Sequence, residues 1–96
     1  MDDVSAAIHV YRIVQEAITN AIKHGKAKHI KIELIAQEGG LSLIVENDGL
    51  GFPAERIQSD GLGLKIMRYR AEMINSSLSI DKGHQEGTIL TLEVPK

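Results

Sequence analysis

Apolar residues along this 96-residue chain recur with two different periods, and each change of period marks an element. Ile8, Tyr11, Val14, Ala17, Ile18, Ala21 and Ile22 follow helical spacing, and Gly25 supplies a stop. From Lys28 to Gln37 the period falls to two. Ile30, Ile32, Leu34 and Ala36 share one face there, which predicts a strand. Gly39-Gly40 turns the chain into a second strand with Leu41, Leu43 and Val45 on one face. Pro53 to Asp60 has little periodicity and reads as a loop. Gly61 to about Asn75 is helical again, its stripe formed by Ile66, Met67, Ala71 and Ile74. Leu78 and Ile80 begin a third strand, Gly83 to Gly87 make a turn, and Leu90, Leu92 and Val94 mark a fourth strand. The order helix, two strands, helix, two strands predicts an α+β fold: a two-layer α/β sandwich with helices packed on one face of a mixed sheet. Residues 1–96 make one domain.

Composition narrows this picture. The chain is 43% apolar with only two tyrosines and one phenylalanine, so its core rests on aliphatic side chains. A net charge of −2 gives no electrostatic reason to expect nucleic acid as a partner. The absence of cysteine excludes disulfides and thiolate metal sites. Met1-Asp2-Asp3 is acidic where a signal peptide would be basic, and no long apolar run follows, so a soluble, cytoplasmic segment is expected.

Three groups of residues could carry chemistry. Arg12, Glu16, Asn20 and Lys23 step by four, four and three, and so line one face of the first helix. As a solvated stripe this face would hold an Arg12–Glu16 pair worth a few tenths of a kcal/mol. Against a ligand, Asn20 would offer Mg²⁺ a neutral oxygen, Glu16 would orient or deprotonate an attacking group, and Lys23 would meet phosphate. Asn47-Asp48-Gly49-Leu50-Gly51-Phe52 ends the second strand, either as a simple turn or as backbone that a ligand can approach closely. Asn47 is in phase with the core face and Asp48 points the other way. Gly61-Leu62-Gly63-Leu64 opens the second helix, as a tight loop-to-helix joint or as a phosphate site made of free N–H groups. His9, His24, His29 and His84 lack metal-ligand spacing and read as surface or turn residues.

Taken in order, these segments resemble the catalytic and ATP-binding domain of two-component sensor histidine kinases, within the Bergerat-type ATPases shared with gyrase and certain chaperones. Residues 15–24, Gln-Glu-Ala-Ile-Thr-Asn-Ala-Ile-Lys-His, are similar to the N box of that family. Residues 47–52 resemble its first glycine box. Gly61 to Leu64, followed by Met67-Arg68-Tyr69-Arg70-Ala71-Glu72, resembles the second glycine box and its helix, and Glu86-Gly87-Thr88 the closing Gly-Thr element. The resemblance covers nearly the whole chain and is nearest to the nitrate/nitrite-sensor and desaturase-sensor type with a short ATP lid.

The resemblance implies ATP and Mg²⁺ as cofactors. Asn20 would bind the metal with Glu16 beside it, and Lys23 and His24 would lie near the phosphates. Gly49 and Gly51 would let adenine pack on backbone, and residues 53–60 would form the lid. Gly61, Leu62, Gly63 and Leu64 would contribute backbone at the phosphates, and Thr88 would sit near the adenine. Where the family has an aspartate hydrogen-bonded to the adenine amino group, this chain has Asn47, at a cost of about 1 kcal/mol. The resemblance also implies partners: a dimerisation domain bearing the histidine acceptor, supplied by the same parent protein, and a downstream response regulator. The parent would be a homodimer and this segment alone a monomer. A Bergerat-type ATP hydrolase, an anti-sigma serine kinase and a degenerate nucleotide-binding module are the alternatives on the same fold.

Overall fold

A computed structural model of the chain describes residues 3–49, 63–83 and 87–95. Helix α1 runs Asp3–Lys23, strand β1 Ile30–Gln37, β2 Gly40–Asn47, helix α2 Leu64–Met73, β3 Ser77–Lys82 and β4 Thr88–Pro95. The loop expected at residues 53–60, Gly51, and the start of the second glycine cluster at Gly61 and Leu62 lie outside the described residues.

Local chemistry explains both helix ends. At the end of α1, the carbonyl of Asn20 accepts the N–H groups of both His24 and Gly25, each at 3.0 Å, and Ala27 N–H reaches Ala21 at 2.9 Å. Lys26, with φ 52°, turns the chain out. At the end of α2, Ala71 accepts from the backbone of Ile74 and Ser76 and from the Ser76 hydroxyl at 2.8 Å. Asn75 takes the left-handed conformation there, at φ 54°, which Asn tolerates better than most residues.

The sheet order is β1-β2-β4-β3, and every adjacent pair is antiparallel. The two-layer α+β sandwich therefore forms, but its four described strands are antiparallel rather than mixed. The reason is the position of β4. The α2 crossover brings β3 back in the same sense as β2, and the β3–β4 hairpin then inserts β4 between them. Strands that share a direction, β2 with β3 and β1 with β4, are never neighbours.

Above the sheet, α1 packs on α2 and on β2, and α2 packs on β3. Ile13, Ala17, Leu43, Val45, Leu64, Met67, Ala71, Leu90 and Leu92 form the buried core, with Val10, Val14, Ile30, Leu78, Ile80 and Val94 against it. This differs from the expected stripes. On α1, Ile8, Tyr11 and Ile22 are exposed and Ile13 takes the central place; on α2, Ile66 is exposed and Leu64 is buried. Helical spacing alone allows more than one apolar face, and the sheet can cover only one. On β1, register sets Ile32 opposite Val45 and Leu34 opposite Leu43, so both lie on the core side. They are nonetheless 48% and 62% exposed, because β1 is the edge strand beyond the reach of α1. On the opposite face, Ser42 is buried and donates to the Glu93 carboxylate while accepting from Gln37 at 3.1 Å. Among the described residues no helix is long and apolar enough to cross a membrane.

Candidate functional site

The C-terminal end of α1, the end of β2, the start of β4 and the start of α2 meet at one end of the sandwich, joined by three glycine contacts. Gly63, at φ 78°, lies directly against the Glu16 carboxylate, in space that a Cβ would fill. Gly49 lies against the Gly25 carbonyl, and a Cβ there would come within 3.1 Å of Ala27 N. Gly87, at φ 89°, lies against the Asn47 carbonyl. At each point only glycine lets the two backbones, or backbone and side chain, come this close.

These contacts gather most of the expected residues. Glu16 is half-buried and touches the residue that starts α2. Asn20, one turn further along α1, is buried to 1% exposure. Lys23 and His24 are exposed at the end of the same helix. Asn47 pairs with Thr88 across the β2–β4 ladder, and Thr88 is buried. Leu64 is fully buried in the core, so what it brings to this end is its backbone. Arg12 is directed elsewhere: its guanidinium donates to Gln15 at 3.0 Å.

The start of α2 has the Glu16 carboxylate beside it and no acidic residue of its own in the first turn. Gly63 caps the helix without a side-chain hydrogen bond to its first N–H groups. Such a terminus holds partial positive charge.

At the end of β2 the structure adds partners that the spacing did not reveal. The Asn47 side-chain oxygen accepts Gly49 N–H at 2.9 Å, closing an Asx turn. Asp48 accepts Lys28 N–H at 2.8 Å and His29 N–H at 2.9 Å through one oxygen. Its other oxygen lies 2.7 Å from His29 Nδ1. The backbone and ring of His29, followed by the backbone of Lys28, bring the Asp48 carboxyl from 3.8 down to about 2. Asp48 thus ties the β2 end to the segment that leaves α1. Strand alternation says only that Asp48 points away from the core, and spacing leaves His29 a surface residue. Their contact spans 19 residues, and no local signal announces it. His9 likewise has a partner, Arg70 Nη1 at 3.2 Å between the two helices.

Comparison with known proteins places the chain in a family. The profile of the Histidine kinase-, DNA gyrase B-, and HSP90-like ATPase family matches residues 5–96. The chain is 40% identical over 87 residues to the oxygen sensor histidine kinase NreB of Staphylococcus carnosus, covering 90% of this chain and 25% of that protein. It is 39% identical over 89 residues to the sensor protein NarQ homolog of Haemophilus influenzae, covering 92% of this chain and 16% of that protein. It therefore spans a quarter or less of the length of these relatives. Among solved structures, the ATP binding domain of PrrB from Mycobacterium tuberculosis superposes with a TM-score of 0.79 at 25% identity, covering 92% of this chain and 67% of that one.

Proposed function

The chain belongs to the histidine kinase-, DNA gyrase B-, and HSP90-like ATPase family, and on that premise we propose that it binds ATP together with Mg²⁺. In this reading the γ-phosphate passes to a histidine on a dimerisation domain of the parent protein, which is a homodimer, and from there serves a response regulator. The observation that carries it is the contact of Glu16 with Gly63, which sets a carboxylate of the first helix beside the start of the second.

Roles follow from place. The N–H groups that open α2 take phosphate oxygens, and Lys23 and His24 add donors from the end of α1. Glu16 orients the acceptor or takes its proton. Gly49 and Thr88 line the adenine end. Asn47 meets the adenine amino group, and because its oxygen already accepts Gly49 N–H, it has less to offer than a carboxylate with two oxygens. Catalysis is then mostly positioning and charge neutralisation.

Among the described residues no three His, Cys, Asp or Glu side chains gather into a metal cage. Magnesium that keeps most of its waters and is held through phosphate needs none. A neutral oxygen from Asn20 with the Glu16 carboxylate one turn away fits it in kind. Bound magnesium would draw charge off the β and γ phosphates.

Titration calorimetry with a non-hydrolysable ATP analogue, with and without Mg²⁺, tests the reading. Binding that requires magnesium and weakens in Asn20→Ala supports it, and no binding by the folded chain sinks it. Adding a histidine-bearing dimerisation domain then separates phosphoryl transfer from hydrolysis.

A further inference from the structure

Helix α1 carries two apolar stripes, and the core uses one. The second runs Val4, Ile8, Tyr11, Gln15, Ile18 and Ile22, with spacings of four, three, four, three and four. The steps alternate four and three, so Val4, Tyr11 and Ile18, and likewise Ile8, Gln15 and Ile22, recur every seven residues, the spacing of a helix that lies along another helix. Most of the stripe is bare: Val4, Ile8, Tyr11 and Ile22 are 71%, 52%, 61% and 57% exposed, and Ile18 is half-buried. Its first half, with Ala7, lines an open apolar recess of about 470 Å³. Single exposed apolar side chains are ordinary, but a continuous row marks an interaction site.

We propose that this stripe is a self-association surface, on which a second copy of the chain lays its own α1 antiparallel. The stripe is complementary to itself in that arrangement. Pairing about Ile13 sets Val4 against Ile22, Ile8 against Ile18, and Tyr11 against Gln15. Apolar meets apolar, and the one amide of the seam meets the one hydroxyl. The charges agree, because α1 starts on Asp3 and ends on Lys23, so antiparallel copies bring an acidic end to a basic one. Their helix dipoles also oppose favourably. Parallel copies would set like ends together. The contact is isologous and closes as a dimer. One helix pair buries less than the roughly 1,600 Å² of a standard interface, so association is weak in dilute solution. It strengthens where two copies are tethered.

The chain has no cysteine, so single cysteines report pairing directly. Ile8→Cys and Ile18→Cys are each prepared and mildly oxidised, separately and mixed, at about 0.5 mM, a concentration suited to weak association. The expected result is a disulfide-linked dimer in the mixture and little in either variant alone. In sedimentation, the average mass of the wild type rises with concentration, and Tyr11→Glu or Ile8→Lys holds it at the monomer with an unchanged melting temperature. A mass that stays monomeric up to about 1 mM overturns the proposal. Efficient cross-linking of each variant with itself overturns the antiparallel pairing.

Discussion

The carboxylate of Glu16 occupies the space into which a side chain on Gly63 would grow. Because Glu16 meets Gly63 with the far end of a flexible side chain, Gly63→Ala can keep the fold by pushing the carboxylate aside. The left-handed backbone at 63 still costs about 1 kcal/mol for alanine. We expect a small loss of stability in urea and a larger loss of nucleotide affinity. An affinity that falls no further than stability would refute a role for Glu16 at this place.

Gly87→Ala should behave differently. Its obstacle is the Asn47 carbonyl, which is backbone within a ladder, and its φ of 89° is also unfavourable. Neither can yield cheaply, so the loss is expected to exceed that of Gly63→Ala, on the order of 3 kcal/mol. Chemical unfolding of both variants in one buffer ranks them.

Asp48 makes stability depend on acid. Its folded pKa, about 2, lies below its ordinary 3.8, so its contribution is complete above about pH 4 and is lost as pH falls through 2. The unfolding free energies of wild type and Asp48→Asn should therefore differ by a constant above that range and converge below it. A gap that is flat from pH 2 to pH 6 would contradict the hydrogen bonds to His29 and Lys28.

Asn47→Asp should tighten the binding of an ATP analogue by roughly fivefold, about 1 kcal/mol, because one oxygen can keep Gly49 N–H while the other faces the adenine amino group. Calorimetry decides it, and weaker binding would remove Asn47 from the adenine end.

Leu92 and Leu34 test the layer arrangement. Leu92 is fully buried on β4, an interior strand, so Leu92→Ala should cost about 2–5 kcal/mol. Leu34 shares the core side but stands on the uncovered edge, and Leu34→Ala should change stability by less than about 1 kcal/mol.

The periods of two and 3.6 are enough to find the two helices and four strands of the described residues, because each element repeats its apolar face over several residues. They do not say which face is covered. Ile8 and Tyr11 keep helical spacing with Val14 as well as Ile13 does with Ala17, and the choice between them depends on where the sheet lies. The described glycines of the two clusters, with Gly87, lie at one end of the sandwich, and Gly49, Gly63 and Gly87 each stand where something approaches too closely for a side chain. The clamp of Asp48 on the backbone of Lys28 and His29 was illegible, because it joins segments that only the completed fold brings together.

The insertion of β4 between β2 and β3 also bears on when the chain can fold. One of the two interior strands of the sheet is the last of the six described elements to leave the ribosome. Until it arrives, Leu43 and Val45 on β2 and Leu78 and Ile80 on β3 lack the neighbour that joins them. The four strands can join into one sheet only after residues 88–95 have been made.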